Sequence, residues 1–248
     1  MQDNFSTQSE LYTLFRPGYP NELIDFLLTE VSGRSSAWDC GTGNGQLAVE
    51  LAAHFQKVHA TDISEKQIGN AVRRKNIEYA VETSEHTTFP DEIFDLITVA
   101  QAVHWFDFHK FYREVNRTLK PDGILAIIGY GLCAVDEQTD AVIHHLYNNI
   151  LRSYWDKERK HIDAQYKTVP FPFTEIHAPS FSAAHQWTAD QMIGFLNSWS
   201  AVQHYLKKNG QNPLDLIEGE LRSSWTSGAT KSVRFPIFVR LGKKTNRT

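Results

Sequence analysis

Apolar and polar positions along the first 131 residues separate strand-like from helix-like segments. "SSAWDCG" is short and apolar at its centre, and "GQLAVELAAHF" behind it sets Leu47, Leu51 and Phe55 at helical spacing. "KVHATDI" is a second strand. "SEKQIGNAVRRK" opens with Ser64 and Gln67 at the separation of a capping box, which predicts a helix start. "NIEYAVE" and "FDLITVAQAV" follow as third and fourth strands. "HKFYREVNRTL" is amphipathic, with Phe111, Val115 and Leu119 on one stripe. "KPDG" breaks that helix, and "GILAIIGYG" is a fifth strand, apolar enough for burial on both faces. Such alternation predicts a mostly parallel sheet with helices on both sides.

After Gly131 the rhythm changes. Residues 134 to 168 read as mostly helical, with "PFPF" and "HAPS" as breakers. "FSAAHQWT" is predicted as a sixth strand, "ADQMIGFLNSWSAVQHYL" as one helix and "NPLDLIEGELRSSW" as another. "SVRFPIFVRLGKK" closes the chain as a seventh strand, in which Pro236 favours an edge or a bulge. The expected fold class is α/β, a seven-stranded sheet with a helical insertion after the fifth strand.

Composition narrows the function classes. A chain of 248 residues that is 41% apolar and 12% aromatic reads as one globular domain. With 25 basic against 29 acidic residues it lacks the positive footprint of a nucleic-acid binder. No run of 18 apolar residues predicts a membrane span, and the polar start "MQDNFSTQSE" lacks the order of a signal peptide. Cys40 and Cys133, the only cysteines, are expected as reduced, half-buried thiols, and the 11 histidines show no metal-ligand spacing. The chain reads as cytoplasmic, a monomer or homodimer.

The chemistry concentrates at "WDCGTGNGQLAVELA", residues 38 to 52. Glycines between a strand and a helix let a ligand approach the backbone, where a side chain would occupy its space. Asp62 ends the next strand, 21 residues after Gly41, and its carboxylate suits the two hydroxyls of an adenosine ribose. Dinucleotide sites use G-x-G-x-x-G with a helix N-terminus facing a pyrophosphate. Here Gly41, Gly43 and Gly45 give G-x-G-x-G, and Asp39 beside them would repel a pyrophosphate. An ammonium and a sulfonium would be welcome instead. S-adenosylmethionine has both, together with the ribose.

These stretches resemble the class I S-adenosylmethionine-dependent methyltransferases. "AWDCGTGNG" is similar to their first motif, "ATDIS" to the acidic end of the second strand, and "LKPDGILAIIG" to the turn into the fifth. "SEHTTFPDEIFDLITVAQAVHWFD" is similar to the stretch from the third-strand loop through the fourth strand. "FRPGYP" and "QAVHWFD" add a narrower likeness to the small-molecule branch that includes trans-aconitate methyltransferase. The resemblance implies a Rossmann-like sheet in a single domain. Its parts are an N-terminal lid segment (1–33), a cofactor-binding core (34–131), a helical cap with the sixth strand (132–200), and a closing helix and strand (201–248).

It also implies roles. Asp39, Gly41 and Gly43 would hold the methionine end of the cofactor, Asp62 the ribose, and Ile63 the adenine face. Ser84 and Glu85 would lie at the adenine edge, although a glycine frequent in the family near Thr83 is absent here. Gln101 would line the floor under the sulfonium. Tyr12 and Arg16 match the segment that closes over cofactor and substrate, and Arg16 suits a carboxylate of either. His104 is either a general base or a residue that shapes the pocket; an ionised carboxylate acceptor needs no base, which favours shaping. Trp105 and Trp199 are candidate walls of the substrate pocket, Trp199 with the alternative of a place in the core. The expected reaction is methylation of a small molecule at a carboxylate oxygen. The alternatives are a hydroxyl or amine acceptor, or an NAD-dependent oxidoreductase.

Overall fold

The computed structural model describes residues 17–226 and 228–244. Tyr12 and Arg16 lie outside them. The described chain begins with α1 (Asn21–Glu30), then β1 (Ser36–Cys40), α2 (Gln46–Ala52), β2 (Lys57–Asp62), α3 (Glu65–Gly69), β3 (Ile77–Val81), β4 (Phe94–Ala100), α4 (Phe108–Thr118) and β5 (Leu119–Tyr130). These five strands are parallel, in the order β3-β2-β1-β4-β5. Every residue of β1 is buried, as helices on both faces require. Neighbouring strand residues separate cleanly: Ala37, Leu96 and Ile124 pack with Leu23 and Leu47, whereas Trp38, Ile97 and Leu125 pack with Phe111 and Val115. The period-two alternation of strand side chains thus divides the core into two layers.

Beyond β5 come α5 (Glu137–His145), which runs into a π-helical turn at Leu146–Ile150, then α6 (Arg159–Asp163), β6 (Thr174–Ile176), β7 (Phe181–Trp187), α7 (Ala189–Asn197), α8 (Ser200–Asn209), α9 (Glu218–Ser224) and β8 (Lys231–Lys243). β8 is antiparallel. Residues 237–243 pair with β5, while on the other flank 241–243 pair with β6 and 231–237 with β7. Among the described residues the sheet therefore has eight strands where seven were expected. The extra one, β6, is three residues long, too short to show a pattern.

Other differences have local causes. "KPDG" is not a break before a strand but a bulge within one, with Asp122 at φ +61° and the register slipping between Phe94 and Leu96. The helix predicted from Ser64 stops at Gly69, because the Tyr79 hydroxyl of β3 binds the Val72 carbonyl at 2.9 Å and draws that backbone aside. The long helix from Ala189 is two helices: the Ser198 hydroxyl bonds back to the Phe195 carbonyl at 2.6 Å, and Trp199 is extended at ψ 135°. Pro236 sits inside β8 rather than at an edge. Its carbonyl accepts from Gly131 N at 2.9 Å, so its missing N–H lies on the same flank, just past the end of β5. Cys40 and Cys133 are fully rather than half buried. Among the described residues no helix is long and apolar enough to cross a membrane.

Candidate active site

The C-terminal ends of β1, β2 and β4 bring Asp39, Asp62 and Gln101 to one rim of the sheet, with the turn after β3 beside them. Asp62 stands opposite Val81 in the ladder, which places the Ser84–Glu85 turn next to it. Ile63 follows, half-buried. Open α/β sheets present ligands at such strand ends.

The loop between β1 and α2 is held by the amides of Gly41 and Thr42, which both donate to the Thr61 carbonyl at 2.8 and 2.9 Å. Gly41, Gly43 and Gly45 all have left-handed φ, at +70°, +58° and +84°. They differ in their surroundings. A Cβ on Gly41 would stand 2.7 Å from the Ala102 Cβ, and one on Gly45 2.2 Å from the Tyr79 hydroxyl. Gly41 is thus fixed by contact with protein, a correction to the expectation that a ligand claims its space. A Cβ on Gly43 would meet nothing within 4 Å among the described residues. That is the open side of the loop.

Asp62 braces the loop. Its Oδ2 accepts from Gly43 N and its Oδ1 from Ser64 N, both at 2.9 Å. A carboxylate oxygen accepts more than one hydrogen bond, so bracing the loop is compatible with receiving a ribose hydroxyl. Asp39 lies beneath the loop, 1% exposed, with Oδ2 bound by the Thr42 hydroxyl at 2.5 Å and Oδ1 by the Thr98 hydroxyl at 2.9 Å. Burial pushes its pKa up to about 6, against the opposing pull of Thr42 and Thr98 and with a smaller upward push from Asp62. Asp39 is a sequestered acid, ready to ionise fully when a cation arrives.

The Ser84–Glu85 turn is closed by the Thr83–His86 bridge. Glu85 Oε1 accepts from Asp107 N at 3.0 Å, tying this turn to the segment after β4, and the buried Ser84 hydroxyl has no hydrogen-bond partner among the described residues. A buried hydroxyl left unpaired there suits a polar ligand edge. Gln101 is left-handed at φ +53° and donates from Nε2 to the Tyr130 carbonyl at 3.1 Å. His104, 6% exposed in the turn Val103–Trp105, shares a 3.0 Å hydrogen bond through Nδ1 with the Tyr166 hydroxyl, and the Trp105 ring lies 5.0 Å away. Tyr166 carries no sequence signal of its own and was missed.

Trp199 is not with this group. It is 7% exposed and packs against Phe195, Tyr147 and Trp155 at 5.8, 5.8 and 5.4 Å between ring centroids. Tyr147 and Trp155, not Trp199, line a cleft of about 560 Å³ beside Arg159. Trp199 is a core residue behind that cleft.

Five parallel strands in this order, an antiparallel strand beside the fifth, and an acid-braced glycine loop define a Rossmann-like methyltransferase fold. Residues 38–127 match the family model described as a methyltransferase domain. A Dictyostelium discoideum protein described as a methyltransferase is 36% identical over 250 residues, covering 98% of this chain and 95% of that one. The solved structure of an Anaeromyxobacter dehalogenans protein described as a type II methyltransferase matches with a TM-score of 0.87 at 38% identity, over 94% of this chain and 100% of the other. Haemonchus contortus phosphoethanolamine N-methyltransferase 2, solved with S-adenosyl-L-methionine, shares the fold alone, at a TM-score of 0.50 and 20% identity over 97% of this chain and 57% of that one. The chain belongs to the class I S-adenosylmethionine-dependent methyltransferases.

Proposed function

We propose that the protein transfers the methyl group of S-adenosylmethionine to a small molecule. The observation that supports this most is the open face of Gly43 beside the carboxylate of Asp62. Bound there, the cofactor supplies an electrophilic methyl group on a positively charged sulfur. Asp39 supplies the counter-charge for its ammonium, Asp62 accepts from the ribose, and Ile63, Ser84 and Glu85 frame the adenine. Gln101 lines the floor. Trp105 and the helices after β5 exclude water as a cap, which favours a reaction that neutralises charge.

A carboxylate oxygen, as in the trans-aconitate branch, is the first reading of the acceptor. It rests on Arg16. A hydroxyl or amine is the second, and the hydrogen bond between His104 and Tyr166 favours it, because an oriented histidine is what an acceptor with a proton to lose requires. Titration calorimetry with S-adenosylhomocysteine and with NAD tests the cofactor, and binding of NAD alone would remove the reading. Arg16→Lys tests the acceptor, since it keeps the charge but loses the two-pronged geometry. Turnover of small di- or tricarboxylic acids should fall with cofactor affinity little changed.

A further inference from the structure

The cleft of about 560 Å³ beside Arg159 is lined by none of the residues assigned to the cofactor or the acceptor. One side is the π-helical turn after α5, in which Leu151 N donates to the Leu146 carbonyl, five residues back, at 2.9 Å. Such turns are rare and recur at functional sites. This one carries Tyr147 and Asn148, both on the cleft, and the other side is built from residues between 152 and 163.

Arg159 is held there as a fixed fork. Its guanidinium lies 4.8 Å from the Trp155 ring centre and 5.2 Å from that of Tyr147, and the two rings are 4.6 Å apart. Its Nε donates to the Tyr147 hydroxyl at 2.8 Å and to Asp163 Oδ1 at 3.3 Å. The Tyr147 hydroxyl in turn donates to the same oxygen at 2.6 Å. These anchors use Nε and the ring faces. The two Nη nitrogens, with four N–H groups, find no acceptor among the described residues. A guanidinium anchored at one edge and open at the other offers a carboxylate or phosphate two parallel hydrogen bonds.

The charge balance agrees. Four cationic side chains line the cleft against two acids, in a chain whose net charge is -4. Both acids are engaged, Asp163 as above and Asp156 by the Ser200 hydroxyl at 3.0 Å. Arg152, Lys157 and Lys160 are exposed and form no ion pair among the described residues. A cleft with one sign of charge in excess concentrates counter-ions. We infer that this cleft is a second binding site, for a small anion carrying two or more negative charges on carboxylate or phosphate groups. Arg159 takes one such group through its Nη pair, and Arg152, Lys157 and Lys160 neutralise the remaining charge.

The test is titration calorimetry with citrate and with inorganic phosphate as probes, at constant ionic strength set with sodium chloride. The parent should bind one equivalent of at least one probe, and acetate should bind at least about tenfold more weakly. Tighter binding of citrate supports a polycarboxylate as the ligand, and tighter binding of phosphate supports a phosphate ester. Arg159→Lys keeps the charge but loses the fork, so affinity should fall about tenfold. Arg152→Gln removes an exposed charge that pairs with nothing described, so it serves if Arg159→Lys does not fold, and affinity should fall about threefold. Binding of neither probe, binding that acetate matches, or binding that either folded variant leaves unchanged overturns the inference.

Discussion

Asp62 Oδ2 accepts the Gly43 amide proton at 2.9 Å, so the acid at the end of β2 and the middle glycine of the loop form one unit. Removing the acid therefore loosens the loop as well as the ribose contact. Asp62→Ala should destabilise the protein by about 2 kcal/mol, as two amide bonds to a charged acceptor are lost. Its affinity for S-adenosylhomocysteine should fall at least about tenfold. Asp62→Asn keeps one acceptor oxygen and should lie between. Chemical denaturation and calorimetry on the three proteins check this; an alanine variant as stable and as tight-binding as the parent would detach Asp62 from both roles.

The three loop glycines should separate on substitution. Gly43→Ala has room for its methyl group and pays only for left-handed backbone, about 1 kcal/mol, yet its methyl group stands in the proposed cofactor space. Gly41→Ala adds a 2.7 Å clash with Ala102 and should be the less stable of the two. Thermal melts order the stabilities. Normal binding of S-adenosylhomocysteine by Gly43→Ala would mean that the open side of the loop faces solvent only.

Asp39 predicts a pH dependence. Its folded pKa of about 6 lies above the ordinary 3.8, so between those values the folded state holds more protons than the unfolded state. Stability contributed at this site is greatest below about pH 4, declines as pH rises to about 6, and is level beyond. Asp39→Asn should gain on the parent across that window by an amount on the order of 3 kcal/mol. Cofactor binding near pH 6 should release roughly half a proton as the ammonium ionises Asp39. Calorimetry in buffers of different ionisation enthalpy measures the release, and none in the parent would put the ammonium elsewhere.

The two thiols should be silent. Burial pushes the Cys133 pKa up to about 12, and burial, reinforced by the charges of Asp39, Glu85 and Asp62, raises that of Cys40. A disulfide reagent at pH 8 should label neither in the native protein and both after denaturation. Rapid native labelling of Cys40 would show that the floor of the loop opens.

Much of the first half was legible because local rules decide it. β1 and β4 are apolar runs buried on both faces, and Phe111 and Val115 fall on the buried stripe of α4 as their spacing requires. The places of Asp39 and Asp62 at strand ends were legible because those ends are marked by where the apolar runs stop. What escaped depends on side-chain contacts that apolar spacing does not encode, most of them to partners far away in sequence. The break at Ser198 follows from a side chain bonding its own backbone and a tryptophan drawn into an aromatic cluster. The packing of Gly41 on Ala102 joins the ends of two strands. Tyr166 meets His104 across 62 residues, through a backbone conformation that no propensity favours.

β8 comes after all three strands it binds, and it covers the flank of β5 that β4 leaves open. During synthesis, then, residues 124–130 present an unpaired apolar edge, and β6 and β7 have no ladder to join, until residues 231–243 have left the ribosome. Such an edge pairs readily with other chains. Nascent polypeptides stalled short of β8 should be the aggregating species in an overproducing cell, and a chaperone that shields the β5 edge should rescue yield without touching the finished enzyme.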